Sequence, residues 1–145
     1  MEKMIFIITN DYFKNIFEEL KYRADNFGPY SDKLNDQIEN LIDLKLIEKK
    51  KGEHAELADE FNASYNYRMS IPDKYSLTIF GEALAKDIFG KLNEESKNQI
   101  VITKNKFNSM PLDGLLSFVY NSAPPEYLEK SKIKERYIRK SMETF

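Results

Sequence analysis

The chain has 145 residues, 41% of them hydrophobic and 32% charged, enough for one domain with a buried core under a well-solvated surface. It has no cysteine, which excludes disulfides, thiolate metal sites and cysteine nucleophiles and fits a cytoplasmic protein without a signal segment. With a formal net charge of −2, any surface for nucleic acid must be a local basic patch, and the longest apolar run, residues 4–8, is too short to span a bilayer.

Residues 1–8 form a short apolar element whose periodicity does not separate helix from strand. Thr9-Asn10-Asp11 offers an N-cap for a helix over about residues 12–21, with Phe13, Ile16, Phe17 and Leu20 as its core stripe. Residues 26–29 break it, since Gly28 frees the backbone and Pro29 stops helical continuation. Ser31 caps the next helix, with Asp32 in its first turn and Leu34, Ile38, Leu41 and Ile42 on its apolar face. The chain leaves this helix through Leu44-Lys45-Leu46-Ile47 into Lys49-Lys50-Lys51.

Residues 53–61 read as one or two further helical turns. Tyr65, Tyr67, Met69 and Ile71 then alternate with Asn66, Arg68 and Ser70 as in a strand, and residues 74–77 return it to make a wing hairpin. Thr78 caps a helix over about residues 79–92, with Phe80, Leu84, Ile88 and Leu92 as its inner stack and Glu82–Lys86 as an ion pair on the wet side. Residues 100–107 are expected to be helical. Ser109-Met110-Pro111 restarts a helix with Leu112, Leu115, Leu116, Val119 and Tyr120 inward, and Ala123-Pro124-Pro125 ends it. A last amphipathic helix over residues 131–142 turns Ile133, Tyr137 and Ile138 to the core. The aromatic pairs Phe13/Phe17, Phe80/Phe89 and Phe118/Tyr120 sit at helical spacing among aliphatics and are assigned to the core.

Phe27-Gly28-Pro29-Tyr30-Ser31 with the Leu34/Ile38/Leu41/Ile42 helix, Tyr75-Ser76-Leu77-Thr78 with Gly81, and the stretch from Leu115 to Lys134 around Tyr120, Pro125, Glu126 and Tyr127 together resemble the YwgA-like group of bacterial and archaeal proteins. That group is similar to winged-helix domains and, more distantly, to the Panacea antitoxin domain. The resemblance covers about residues 4–138. It implies a winged-helix scaffold and no catalytic or ligand-binding residue, because the group has no agreed activity. The chain departs from the group at two places. The group has a further helix before the segment matching residues 4–8, and residues 52–64 are longer and more acidic than expected between helix and wing.

In a winged helix the second helix of the helix-turn-helix enters the major groove. Here its outward stripe is Asp32, Asp36, Glu39 and Asp43, carboxylates that would meet a duplex with one phosphate charge per ~1.7 Å of axis. Asn35, Gln37 and Asn40 remain able to touch base edges, but the charge is repulsive and Lys33 and Lys45 do not cancel it. Cationic residues lie elsewhere, at Lys49, Lys50 and Lys51, at Arg68, and at Lys130, Lys132, Lys134, Arg136, Arg139 and Lys140, the last group opposed by Glu126, Glu129, Glu135 and Glu143. The Tyr65-to-Ile71 strand is either the inner face of the wing or an edge open to a partner. His54 beside Glu53, Glu56, Asp59 and Glu60 matches no metal-ligand spacing and reads as surface.

The predicted fold is α+β and mostly α: a winged helix-turn-helix-like core with a β-hairpin wing and additional C-terminal helices, about five or six helices in all. It is read as a single domain over 1–145, with residues 10–92 as the winged-helix-like core and 93–145 as a helical extension. The expected function is a non-catalytic binding module, a DNA-binding regulator or antitoxin-type protein. Lys33, Lys49, Lys50, Lys51, Arg68, Lys134 and Arg139 are its candidate contacts to double-stranded DNA. The alternative is a protein-interaction module that presents Asp32, Asp36, Glu39 and Asp43 to a basic partner. Neither a cofactor nor a metal is expected. A homodimer is expected through the N-terminal segment or the C-terminal helices, because residues 4–6 otherwise lack a cover.

Overall fold

The apolar N-terminus is a helix. α1 runs Glu2–Tyr12 and buries Phe6, Ile7 and Thr9, whose hydroxyl donates back to the Ile5 carbonyl at 2.6 Å. Thr9 is therefore inside a helix and is not the cap of the next one. The break comes later, at Phe13, where φ −127° and ψ 65° interrupt the helical path before α2 (Lys14–Leu20). The structure, a computed structural model, describes residues 1–51 and 73–142, and of 139–142 the backbone alone. Within those residues the chain is α+β and mostly helical, with two small antiparallel hairpins. No helix among them is long and apolar enough to cross a membrane.

The contacts divide the chain into two units, Met1–Asp36 with Leu92–Phe145, and Gln37–Lys91. In the first unit, α2 ends at Lys21 in the left-handed region, and a hairpin follows that the sequence reading took for a simple break: β1 (Arg23–Asp25) pairs with β2 (Gly28–Tyr30). Asp25 faces Gly28 across its two-residue turn. Gly28 sits at φ +96°, and a Cβ there would lie 3.2 Å from the Tyr120 hydroxyl oxygen, so both conformation and space call for glycine. Ser31 then caps α3 (Asp32–Asp43). Its fully buried hydroxyl accepts from the Leu34 amide at 3.0 Å and donates to the Leu20 carbonyl, while its own amide donates to the Glu2 carboxylate.

The remaining elements of this unit are α5 (Glu94–Asn108), α6 (Leu112–Ser122), a 3₁₀ turn (Pro125–Tyr127) and α7 (Lys134–Met142). α1 packs on α2, α5 and α6, and α6 packs on α7. Phe6 is the centre of an aromatic cluster, with ring centroids 4.9 Å from Tyr22, 5.3 Å from Tyr127 and 5.6 Å from Phe17, all edge-on. Leu34, Phe107, Leu115, Val119, Tyr120, Leu128 and Tyr137 are buried as well. Phe6 is buried within the unit, while Met4 and Ile5 are half-buried.

Five core assignments change. Ile16 is exposed, because α2 is a short helix with no buried residue, and Leu112 is exposed because it begins the first turn of α6. Phe80 and Ile88, with Leu84 between them, are exposed on the helix that follows the second hairpin, as described below. The helix count also rises, since residues 2–12 fold as a helix of their own and the described residues hold seven α-helices.

The second unit holds the end of α3, the hairpin β3 (Ile47–Lys50) with β4 (Lys74–Leu77), and the helix α4 (Ile79–Lys91). α3 ends in a Schellman motif. The Lys45 amide donates to the Ile42 carbonyl and the Leu46 amide to the Leu41 carbonyl, both at 2.9 Å, with Lys45 itself left-handed at φ 58°. Thr78 closes the unit: its amide donates to the Leu46 carbonyl at 3.1 Å, its hydroxyl donates to the Lys45 carbonyl at 2.6 Å and accepts from the Gly81 amide at 3.0 Å. The first turn of α4 therefore lies directly on the backbone at Leu46. A Cβ on Gly81 would overlap the Leu46 carbonyl oxygen far inside contact distance. The predicted strand over residues 65–71, the helical turns over 53–61 and His54 lie outside the described residues.

Two outcomes test these contacts. Alanine in an α-helix is ordinarily favoured over glycine by about 1 kcal/mol. Gly81→Ala is expected to reverse that sign and to lose about 2 kcal/mol or more in urea unfolding, because backbone must move to admit the methyl group. The second concerns Tyr137, whose hydroxyl donates to Asp113 at 2.8 Å beside the stacked ring of Tyr120. Burial, and then that hydrogen bond, push its pKa up to about 12. The unfolded chain gives up this proton near pH 10, so the stabilisation is intact below pH 10 and is lost between about 10 and 12. Unfolding midpoints measured from pH 8 to 12 are expected to fall less steeply in Tyr137→Phe than in the parent.

Candidate nucleic-acid interface

The register of the second hairpin arranges its lysines. Ile47 faces Leu77, Glu48 faces Ser76, Lys49 faces Tyr75 and Lys50 faces Lys74. Side chains alternate along a strand, so Ile47, Lys49, Tyr75 and Leu77 share one face, while Glu48, Lys50, Lys74 and Ser76 share the other. Lys49 and Lys50 are thus part of a strand and Lys51 follows it, all three exposed.

Lys49 is engaged locally. Its ammonium lies 3.6 Å from Asp73 and 5.9 Å from the centre of the Tyr75 ring. Tyr75, then Asp73, raise its pKa, with Glu39 of the neighbouring helix adding to the same field. Lys50 and Lys74 stand differently. They are like charges directly opposite each other in an antiparallel pair, an arrangement that destabilises a sheet. Neither makes an ion pair with another described residue. With Lys45, Lys49 and Lys51 they give the hairpin and its entry five lysines against Glu48 and Asp73. Lys45 holds its place in a left-handed conformation that glycine adopts more readily, at a cost of about 1–2 kcal/mol.

The acidic stripe lies where the sequence puts it. Asp32, Asp36, Glu39 and Asp43 are all exposed along α3. Among the described residues, Asp32 alone of these four has a close cation, with Arg23 Nε donating to its carboxylate at 3.1 Å. That hydrogen bond raises the pKa of the guanidinium, which also lies 5.1 Å from the centre of the Tyr30 ring. Arg23 is therefore occupied on the hairpin of the first unit.

The remaining predicted contacts fall in the other unit or outside the described side chains. Lys33, exposed at the start of α3, and Lys134, half-buried at the start of α7, belong to the first unit, whereas Lys49, Lys50 and Lys51 belong to the second. Arg68 lies outside the described residues, and Arg139 lies on α7 where the backbone alone is described. Lys74 escaped sequence reasoning, because nothing in its neighbourhood marks it until the register places it across from Lys50.

Comparison of the chain with family models, with curated proteins and with solved structures finds no match.

Proposed function

We propose that the protein is a non-catalytic binding module of winged-helix type, a DNA-binding regulator or antitoxin-type protein, whose contacts to double-stranded DNA come from the β3–β4 hairpin. The order of helix α3, tight exit, the antiparallel β3–β4 pair and helix α4 supports the winged-helix reading. The observation that carries the DNA reading is the placement of Lys50 opposite Lys74 on one face of the hairpin, with Lys51 following the strand. Two lysines directly opposite each other across a strand pair repel in isolation and gain most from a polyanion that binds both. Phosphates along a duplex supply that charge, and lysines on a wing follow the backbone without reading bases. The acidic face of α3 argues against insertion of that helix into the major groove, so sequence discrimination, where it exists, falls to other residues.

The second reading, a protein-interaction module, draws on the same acidic face. Asp36, Glu39 and Asp43 are exposed along one helix and would suit a basic partner.

Fluorescence-polarisation binding to mixed-sequence duplex DNA at two salt concentrations tests the proposal. Binding is expected to weaken with salt, with the slope of log K against log salt reduced by about 0.9 for each phosphate contact that Lys49→Glu/Lys50→Glu/Lys51→Glu removes. Lys74→Glu is expected to weaken binding while raising stability by about 0.2–1 kcal/mol, because it turns a repulsive cross-strand pair into an attractive one. That opposite movement separates lost binding from lost folding. Absence of binding at low salt, or affinity indifferent to these lysines, would overturn the assignment.

A further inference from the structure

We infer that α4 is a self-association helix and that its occupant is the α4 of a second copy of this chain. The helix carries an uncovered apolar ridge: Phe80 is 74% exposed, Leu84 43% and Ile88 52%, at i, i+4 and i+8. Ile79, 85% exposed, and Leu77, 52% exposed at the end of β4, extend the patch at the helix start. Gly81, the point at which the helix rests on Leu46, lies about 100° around the helix axis from Phe80 and about 60° from Leu84, so these two side chains project beside the contact that docks α4 to its own unit.

Three features point to a second copy. The first is geometry. A ridge of i, i+4, i+8 residues packs into the groove of an identical helix at a crossing angle of about −50°. Leu84 at the two-fold axis sets Phe80 of one copy against Ile88 of the other, and Ala83 leaves the groove between Ile79 and the ridge shallow enough to receive it. The second is area. The five side chains expose on the order of 500 Å², a patch that marks an interaction surface. A two-fold pairing buries that patch twice, on the order of 1,000 Å² in total, which reaches the size of a specific interface.

The third feature is charge. The charged residues of α4 are paired along the helix itself, Lys86 with Glu82 at 3.1 Å and Lys91 with Asp87 at 2.9 Å. An identical helix therefore approaches without net repulsion. A lipid surface would be met by unpaired lysines at the rim of such a helix, and these are absent among the described residues of α4.

A chain without cysteine makes the test direct. Sedimentation velocity of the full chain from 1 to 100 µM is expected to show a reversible dimer, and Leu84→Glu is expected to shift the dissociation constant at least tenfold toward monomer while leaving the circular dichroism spectrum unchanged. Leu84→Cys supplies a readout that does not depend on a charged substitution being tolerated. Mild oxidation is expected to cross-link it to its mate across the axis, while Glu82→Cys, on the far side of the helix, stays uncross-linked. A parent that remains monomeric at 100 µM, a dimer indifferent to Leu84→Glu, or equal cross-linking at both positions would overturn the proposal. So would a monomer that floats with anionic vesicles, which would make lipid the occupant of the ridge.

Discussion

The carbonyl of Leu46 is the point on which the second unit is organised. It accepts the amide of Thr78 as β4 ends, and it stands so close to the first turn of α4 that the residue there must be glycine. The same few atoms end α3, fix the register of β3 against β4 and start α4. The Schellman turn aims the Leu46 carbonyl, the Thr78 hydroxyl ties the Lys45 carbonyl to the Gly81 amide, and the hairpin between them has no freedom to slip. A slip of one residue would put Lys49 and Lys50 on exchanged faces. The basic face proposed for DNA is thus a consequence of backbone hydrogen bonds several residues away from it.

The first unit has its own organising residue in Ser31. One buried side chain caps α3 and takes the last carbonyl of α2, and its amide takes the carboxylate of Glu2. Lys3 reaches the neighbouring Pro29 carbonyl at 2.6 Å, so both hydrogen bonds from the start of α1 end on the Gly28–Tyr30 strand or its successor. From the other side, Tyr120 lies against Gly28 and hydrogen-bonds Ser131, and the Lys132 amide donates to the Asn26 carbonyl. The segments that carry the resemblance in the sequence, around Gly28 and around Tyr120 to Ser131, therefore meet in space.

Much of the local structure is legible in the sequence where a side chain acts on its own backbone. Ser31 and Thr78 are cap residues whose capping hydrogen bonds come from amides three positions on, Leu34 and Gly81, and both caps form as read. The Glu82–Lys86 pair is of the same kind. The misreadings have a common cause. Periodicity shows that Phe80, Leu84 and Ile88 share a face, but not whether the molecule covers that face. The same pattern that marks a core helix marks a helix awaiting a partner. Thr9 looks like a cap because its hydroxyl suits one, yet a threonine can return that hydroxyl to the carbonyl four residues back and remain helical. Of the candidate site, the lysine triplet was visible as a run of charge. Lys74 was not, because its meaning lies in a pairing between residues 24 positions apart in sequence.

Two surfaces with different physics emerge on the second unit: a basic hairpin in which like charges are held together, and an apolar helix face whose charged neighbours are paired off. The first suits a polyanion and the second suits its own image. The claim that decides the account is that the hairpin, and not the acidic helix, meets DNA. Amide chemical-shift mapping during titration with a short duplex tests it most directly. The account predicts salt-sensitive shifts concentrated at residues 45–51 and 73–77, with the exposed face of α3 from Asp36 to Asp43 undisturbed. Shifts centred on α3, or none at low salt, would contradict it.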